Sequence, residues 1–266
     1  MTRRSVACSL IAQVLAPATV ELQVAVAGAM TVSEQLQVRL DGRPVPVQEL
    51  TTAGSGRLHV LHCDAGRLEV SYQAQVSGRA EPTASEPLDT TTYLRPSRYA
   101  EADRLAAFAS VELGTGTEPA ALVRDVAAWV GRRLAYIPGS SSGTDGAVDT
   151  LLAGAGVCRD YAHLVIALLR ARDVPARLVS VYAPGLFPMD FHAVVEALVD
   201  GSWSVVDATV LAPRQSLVRI ATGRDAADTA FLSSYGGTLR LDALQVRAVV
   251  DGDLPRDDLG ERVQLG

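Results

Sequence analysis

The chain has 266 residues, 48% of them hydrophobic and 20% charged, which suits one or two folded domains with a real core and excludes a disordered chain. Its formal net charge is −6 and it contains no lysine, so it carries no basic footprint for nucleic acid. No apolar run approaches the ~18 residues of a membrane-spanning helix, and neither nucleic acid nor a membrane is expected as a partner.

In chain order, the N-terminal stretch MTRRSVACSLIAQVLAPA sets two arginines before an apolar run, as a secretory leader does. Gln13 interrupts that run and the pattern continues as TVELQVAVAG, which reads as strand, so a cleaved leader is not expected. VELQVAVA and LQVRL alternate, DGRPVPV is a Gly/Pro turn, and RLHVLHCDAGRLEVSYQAQV predicts two strands around Asp64–Gly66. Residues 1–80 are therefore expected to form a small all-β sandwich, an accessory domain. Residues 81–96, with Pro82, Pro87 and Pro96 among Ser, Thr and Glu, read as a linker.

Residues 97–250 read as a second domain, and 251–266 as a C-terminal tail. Ser97 is a candidate cap for a helix through RYAEADRLAAFASVEL, and Pro119 opens a second helix in EPAALVRDVAAWVGRRLAY. Leu122, Val126, Trp129, Val130 and Leu134 in the latter fall at three- and four-residue spacing, one packing face. AVDTLLA is a short helix closed by Gly154 and Gly156. The helix after Cys158 is apolar on most sides, as a central buried helix is. ARLVSVY, DFHAVVEALV and SWSVVDATVL then read as strands, the last two joined at Asp200–Gly201, a hairpin signal. Helices first, then antiparallel sheet, is an α+β layout.

Cys158 is the residue on which chemistry can be built. It stands where a glycine-marked turn delivers a helix N-terminus, whose dipole and free N–H groups favour a thiolate, and the thiolate is the nucleophilic form. A lone cysteine there is more often a small buried hydrophobe. His192 in DFHAVVEALV and Asp207 at the end of SWSVVDATV change that balance, because the hairpin carries the Asp207 strand end back toward the start of the His192 strand. An aspartate there accepts the imidazole N–H and fixes its tautomer. A nucleophile at a helix start, with base and orienter on adjacent strands, is the arrangement of a Cys-His-Asp triad.

The motifs GAGVCRDYAHLVIALLRARDVPARLVSVY, DFHAVVEALVDGSWSVVDATVLAPR and RIATGRDAADTAF together resemble the bacterial branch of the transglutaminase-like superfamily. The resemblance runs from about Tyr93 to Phe231 and includes YLRPSRYAEAD and RLAYIPG; the N-terminal β region resembles the accessory domain placed before this core. It implies a papain-like cysteine enzyme core, with Cys158 as nucleophile, His192 as general base and acid, and Asp207 as orienting carboxylate. Many relatives carry tryptophan directly after F-H-A, where this chain has Val194, a change expected to reshape the substrate cleft.

Other residues rank lower. Tyr136 is a candidate oxyanion donor beside the Cys158 backbone N–H, or an ordinary interfacial tyrosine. His163 lies about 500° around the helix from Cys158 and reads as packing. Asp160 is expected to cap backbone N–H groups. His59, His62 and Cys63 make only a weak metal suggestion. Arg224 and Asp225 have no role beyond cleft wall or salt bridge, and APGLFPMD, 183–190, is a candidate flap over the cleft. The three cysteines, Cys8, Cys63 and Cys158, form neither a disulfide framework nor a Cys-x-x-Cys pair, which fits a reducing, cytoplasmic compartment. No D-x-[DN]-x-[DN]-G loop occurs, and no metal or other cofactor is expected. The expected function is attack on peptide, isopeptide or side-chain amide bonds of a protein or peptide substrate, with hydrolysis favoured over amine transfer. The alternative is a binding or scaffolding module that keeps the fold without turnover.

Overall fold

The computed structural model describes residues 3–28, 31–79, 81 and 84–265; Met1 and Thr2 of the leader-like stretch and Pro82 of the expected linker lie outside them. The N-terminal strands are β1 (Arg3–Val14), β2 (Ala18–Leu22), β3 (Thr31–Leu40), β4 (Arg43–Pro44), β5 (Gln48–Thr51), β6 (Arg57–Cys63) and β7 (Gly66–Ser77). The leader-like run is thus β1, whose alternate residues Val6, Cys8, Leu10, Ala12 and Val14 are all buried, the period of two of a strand over a core. Helices and strands then follow as α1 (Pro87–Leu94), α2 (Ala102–Glu112), α3 (Pro119–Arg133), β8 (Ala135–Tyr136), α4 (Ala147–Ala153), β9 (Ala155–Gly156) and α5 (Cys158–Arg170). The chain continues through β10 (Ala176–Tyr182), β11 (Phe191–Val199), β12 (Ser202–Val206), β13 (Val218–Gly223), α6 (Ala226–Thr229), β14 (Leu232–Tyr235) and β15 (Leu239–Val250). The fold is α+β, with a sheet-rich N-terminal region and a helix-and-sheet core. Among the described residues no helix is long and apolar enough to cross a membrane.

The sandwich is built from both ends of the chain. One sheet has the order β15-β1-β7-β3-β4 and the other β14-β2-β6-β5, packed over Leu10, Val20, Leu22, Leu61 and Leu68. The expected second domain ending at residue 250 is corrected here, because β14 and β15 belong to the N-terminal sheets. β15 pairs with β1 from Arg4↔Val250 to Val14↔Leu239, which covers what would otherwise be a long open edge. The expected tail is corrected as well. Val263 and Leu265 are buried beside β10–β12, Val205 N donates to Val263 O at 2.7 Å, and Asp257 receives the Arg214 guanidinium at 2.8 Å. Nor is 81–96 only a linker. Pro87 opens α1, and Tyr93 near its end sets its ring edge-on to Trp203 at 5.4 Å.

Around α5 the core follows the sequence pattern closely. Leu164, Ile166, Leu168 and Leu169 are fully buried among α2, α3, α4 and the sheet β12-β11-β10-β13. α3 directs Leu122, Val126 and Val130 to that core, and its N-terminal N–H groups are capped by the Glu118 carboxylate. Ser97 does not cap α2, which begins five residues later; its hydroxyl accepts from Arg170 Nη1 at 2.9 Å instead. Asp200 and Gly201 both take positive φ, +53° and +74°, the paired left-handed geometry of a tight hairpin between β11 and β12.

Candidate active site

The Cys158 corner is a chain of close backbone approaches. Gly154 ends α4 in the left-handed region at φ +66°, and β9 then runs parallel to β8, pairing Tyr136 with Gly156. Val157 is extended, and Cys158 is the first residue of α5. The Asp160 carboxylate, fully buried, turns back to accept Val157 N at 2.8 Å, Ser141 Oγ at 2.6 Å and Arg159 Nη2 at 2.9 Å. It therefore caps the helix, as its position in the first turn predicts. A Cβ on Gly156 would stand 2.6 Å from the Asp160 Cβ, so this approach needs glycine. Cys158 itself is half-buried, whereas Cys8 and Cys63 are buried, and all three are free thiols.

The β11–β12 hairpin brings His192 and Asp207 together. The ladder pairs Val195 with Val206, so Asp207, one residue further, continues to a place diagonal to His192. His192 Nε2 donates to Asp207 Oδ2 at 2.7 Å, with both side chains buried. The other carboxylate oxygen accepts Thr209 N at 2.9 Å and Thr209 Oγ1 at 2.7 Å, which fixes its orientation. Burial by itself lowers the imidazole pKa, but the Asp207 charge and hydrogen bond, with a smaller contribution from Cys158, push it up to about 10. Burial likewise raises the Asp207 pKa, and His192 and Thr209 more than offset it, holding the carboxyl below its ordinary value. His192 Nδ1 is buried with no hydrogen-bond partner. Cys158 is thus the sulfur beside a ring whose other nitrogen is committed to Asp207.

Tyr136 arrives by the β8–β9 pairing. The residue is 40% exposed, and burial, then the neighbouring Cys158 and Asp190, push the phenol pKa up to about 12. Sequence reasoning missed Asp190, whose carboxyl pKa is raised by partial burial against the pull of His192. It missed equally the Ser141–Arg159 brace, in which Arg159 Nη2 donates to Ser142 O at 2.7 Å and holds the loop before α4 against the Cys158 corner. Nothing in the spacing of either marks it, since each depends on a loop folding back. The flap segment 183–190 divides in two: Ala183, Pro184 and Leu186 are buried, while Phe187 is 90% exposed.

The lower-ranked residues find structural partners. His163 is fully buried, stacks on Tyr99 at 5.3 Å and accepts Ala226 N at 3.2 Å; burial lowers its pKa to about 4, so it is neutral packing. Asp225 caps α6 and accepts Tyr99 N, and Arg224 pairs with Asp228 at 2.8 Å. His59 bonds Glu49 and His62 bonds Thr19, on opposite sides of β6, and no cluster of metal-ligating side chains occurs among the described residues. Val194 is corrected: it is buried with Val179, Val181 and Val205 in the core of the sheet, not in a cleft.

The model of the transglutaminase-like superfamily core matches residues 107–208, a span that holds Cys158, His192 and Asp207. A crystal structure from Cytophaga hutchinsonii, named "Putative Cysteine Protease", is 31% identical and superposes with a TM-score of 0.90 over 100% of this chain and 98% of that one. The chain belongs to the transglutaminase-like superfamily. Its likeness to the Cytophaga protein takes in the β sandwich as well as this transglutaminase-like core. An uncharacterized protein of Mycobacterium leprae is 29% identical over 156 residues, 54% of this chain and 55% of that protein, so the alignment spans about half the length of that relative. The periplasmic domain of TgpA from Pseudomonas aeruginosa is 20% identical over 77% of this chain and 90% of that one, with a TM-score of 0.41.

Proposed function

We propose that this transglutaminase-like chain is a cysteine enzyme that opens peptide, isopeptide or side-chain amide bonds through a thioester on Cys158. The observation that carries the reading is the buried 2.7 Å bond from His192 Nε2 to Asp207 Oδ2, with Nδ1 unpartnered and Cys158 beside the ring. In this reading the thiolate attacks the carbonyl carbon, forming an S–C bond as the carbonyl π pair moves onto oxygen. The Cys158 backbone N–H and the Tyr136 hydroxyl receive that oxyanion. His192 gives its Nδ1 proton to the amide nitrogen, the C–N bond breaks, and the amine leaves the acyl group on sulfur. Water then gives a proton to Nδ1 and adds to the thioester, and the C–S bond breaks to return the thiolate and release the acid. Asp207 holds the ring in one tautomer and balances its charge throughout.

An amine in place of water gives amide transfer by the same steps. Hydrolysis is the favoured outcome because transfer requires an acceptor site that shields the thioester, and Tyr136 beside Cys158 stands open to solvent. The openness suits a protein or peptide substrate, and the name of the Cytophaga relative agrees with it. Three free thiols suit a reducing, cytoplasmic compartment. The test is incubation with glutamine-containing peptides and a labelled amine, followed by mass spectrometry, with Cys158→Ala as control. Cleavage or deamidation that needs Cys158 is expected. Amine incorporation without hydrolysis overturns the hydrolytic preference, and a Cys158 that alkylates as an ordinary thiol replaces the enzyme with a binding module.

A further inference from the structure

Away from Cys158, a concavity of about 570 Å³ lies between α3, the β11–β12 hairpin and residues 259–262. Its inner wall is β12, Asp207 and the turn that follows it, while Cys158, His192 and Tyr136 do not line it. The size is that of a small-molecule site. It exists because α3 turns short side chains this way: Ala120, Ala127 and Gly131 recur at helical spacing, and a Cβ on Gly131 would stand 2.8 Å from Ala208 O.

Two further observations say what such a space would hold. Val210, which lines the space, is 55% exposed and takes φ +53°, a left-handed conformation that a β-branched side chain adopts only under constraint, and Leu259, also lining it, is 52% exposed. Arg124 and Arg132, two turns apart along the same wall, are exposed and have no ion-pair partner among the described residues, whereas Arg214 and Arg262 are already paired with Asp257 and Asp200. Asp207 and Glu261 are the acids that line the space, and Asp207 is committed to His192, so the uncommitted charge there is net positive.

We propose that this concavity is a binding site for an amphiphilic anion, a molecule with an apolar chain and a carboxylate head. The chain lies over the short side chains of α3 between Val210 and Leu259, and the carboxylate meets Arg124 or Arg132. The proposal does not depend on turnover at Cys158, and its test reads binding alone.

The experiment is calorimetric titration of the full chain with decanoate below micelle-forming concentrations, with decanol and decyltrimethylammonium as neutral and cationic probes of equal chain length. Saturable one-to-one binding of decanoate is expected, with the other two at least about tenfold weaker, the fold-change that a lost charge-assisted hydrogen bond produces. Two variants accompany it, each checked for folding by circular dichroism. The double variant Arg124→Gln, Arg132→Gln is expected to bring decanoate down to the affinity of decanol. Ala128→Trp, at an exposed helical position lining the space, is expected to abolish binding of all three. No saturable binding of decanoate, equal binding of the three probes, or binding that either variant leaves unchanged overturns the proposal.

Discussion

Replacing Asp207 by asparagine keeps the shape of the site and removes one charge, and its consequence can be worked from the hydrogen bonds. Thr209 N–H and O–H both donate to Asp207 Oδ1, so in Asp207→Asn the amide oxygen stays with Thr209 and the NH₂ group faces His192. Two donors then meet unless Nε2 gives up its proton, which moves the remaining hydrogen to Nδ1, the side of Cys158. In that tautomer the nitrogen facing Cys158 already carries hydrogen and cannot take the thiol proton, and burial opposes a cation that has lost its carboxylate partner. With Asp207 in place the imidazole pKa is pushed up to about 10, which favours the protonated ring across the neutral range. An ordinary thiol of pKa near 8.5 is only about 0.3% ionised at pH 6. A thiol that loses its imidazolium partner falls toward that fraction, and the higher nucleophilicity of an ordinary thiolate returns about tenfold of the loss. Iodoacetamide alkylation of Cys158, followed by intact mass, should be at least about tenfold slower at pH 6 in Asp207→Asn, with the deficit shrinking as pH rises toward the free-thiol pKa near 8.5. Cys8 and Cys63, 3% exposed each, do not compete. A folded variant whose rate–pH profile overlays that of wild type refutes the role given to Asp207.

Further outcomes follow from the same contacts. Tyr136→Phe is expected to leave alkylation nearly unchanged and to lower turnover about 10²-fold, the loss typical of one oxyanion donor; equal losses in both would mean that the phenol only packs. Glu196, buried between Arg177 at 2.7 Å and Arg219 at 2.6 Å, should cost about 3–5 kcal/mol when changed to alanine, because two guanidinium groups lose their counter-ion. A loss under about 1 kcal/mol in urea unfolding would contradict that. Gly156→Ala should push Asp160 away from Val157 N and cost about 1–3 kcal/mol, lowering Tm by several degrees; an unchanged Tm would show that the corner relaxes freely. The pH dependence of stability has two limbs. Asp207 and Glu196 are held below their ordinary pKa values, so their contribution is present above about pH 4 and lost as pH falls further. His192 is held above its ordinary value, so its contribution is full below about pH 6.5 and fades as pH rises toward 10. Thermal melts should show the alkaline decline in wild type and a weaker one in Asp207→Asn; parallel declines would refute the assignment.

Much of this molecule was legible along the chain because the signals are local. The period of two in β6 and β7, the continuous apolar helix α5, and the hairpin at Asp200–Gly201 depend on residues a few positions apart. The meeting of His192 and Asp207 belongs to the same class, since one tight hairpin joins them. What sequence reading misplaced lies at long range. Val194 reads as a cleft residue from its place in a motif, yet the pleat turns it into the core with Val179 and Val205. Asp190 and Arg159 have no pattern of their own.

By itself the sequence determined an α+β chain with an N-terminal β region, the buried helix behind Cys158, and the residues that converge on it, because periodicity and turn chemistry are written over short spans. Only the tertiary structure decided that 232–250 completes the N-terminal sandwich, that Val263 and Leu265 close the core, and that Tyr136 stands beside Cys158. Those depend on pairings such as Val6 with Ala248 and Tyr136 with Gly156, and an alternating strand does not announce which partner will cover its edge.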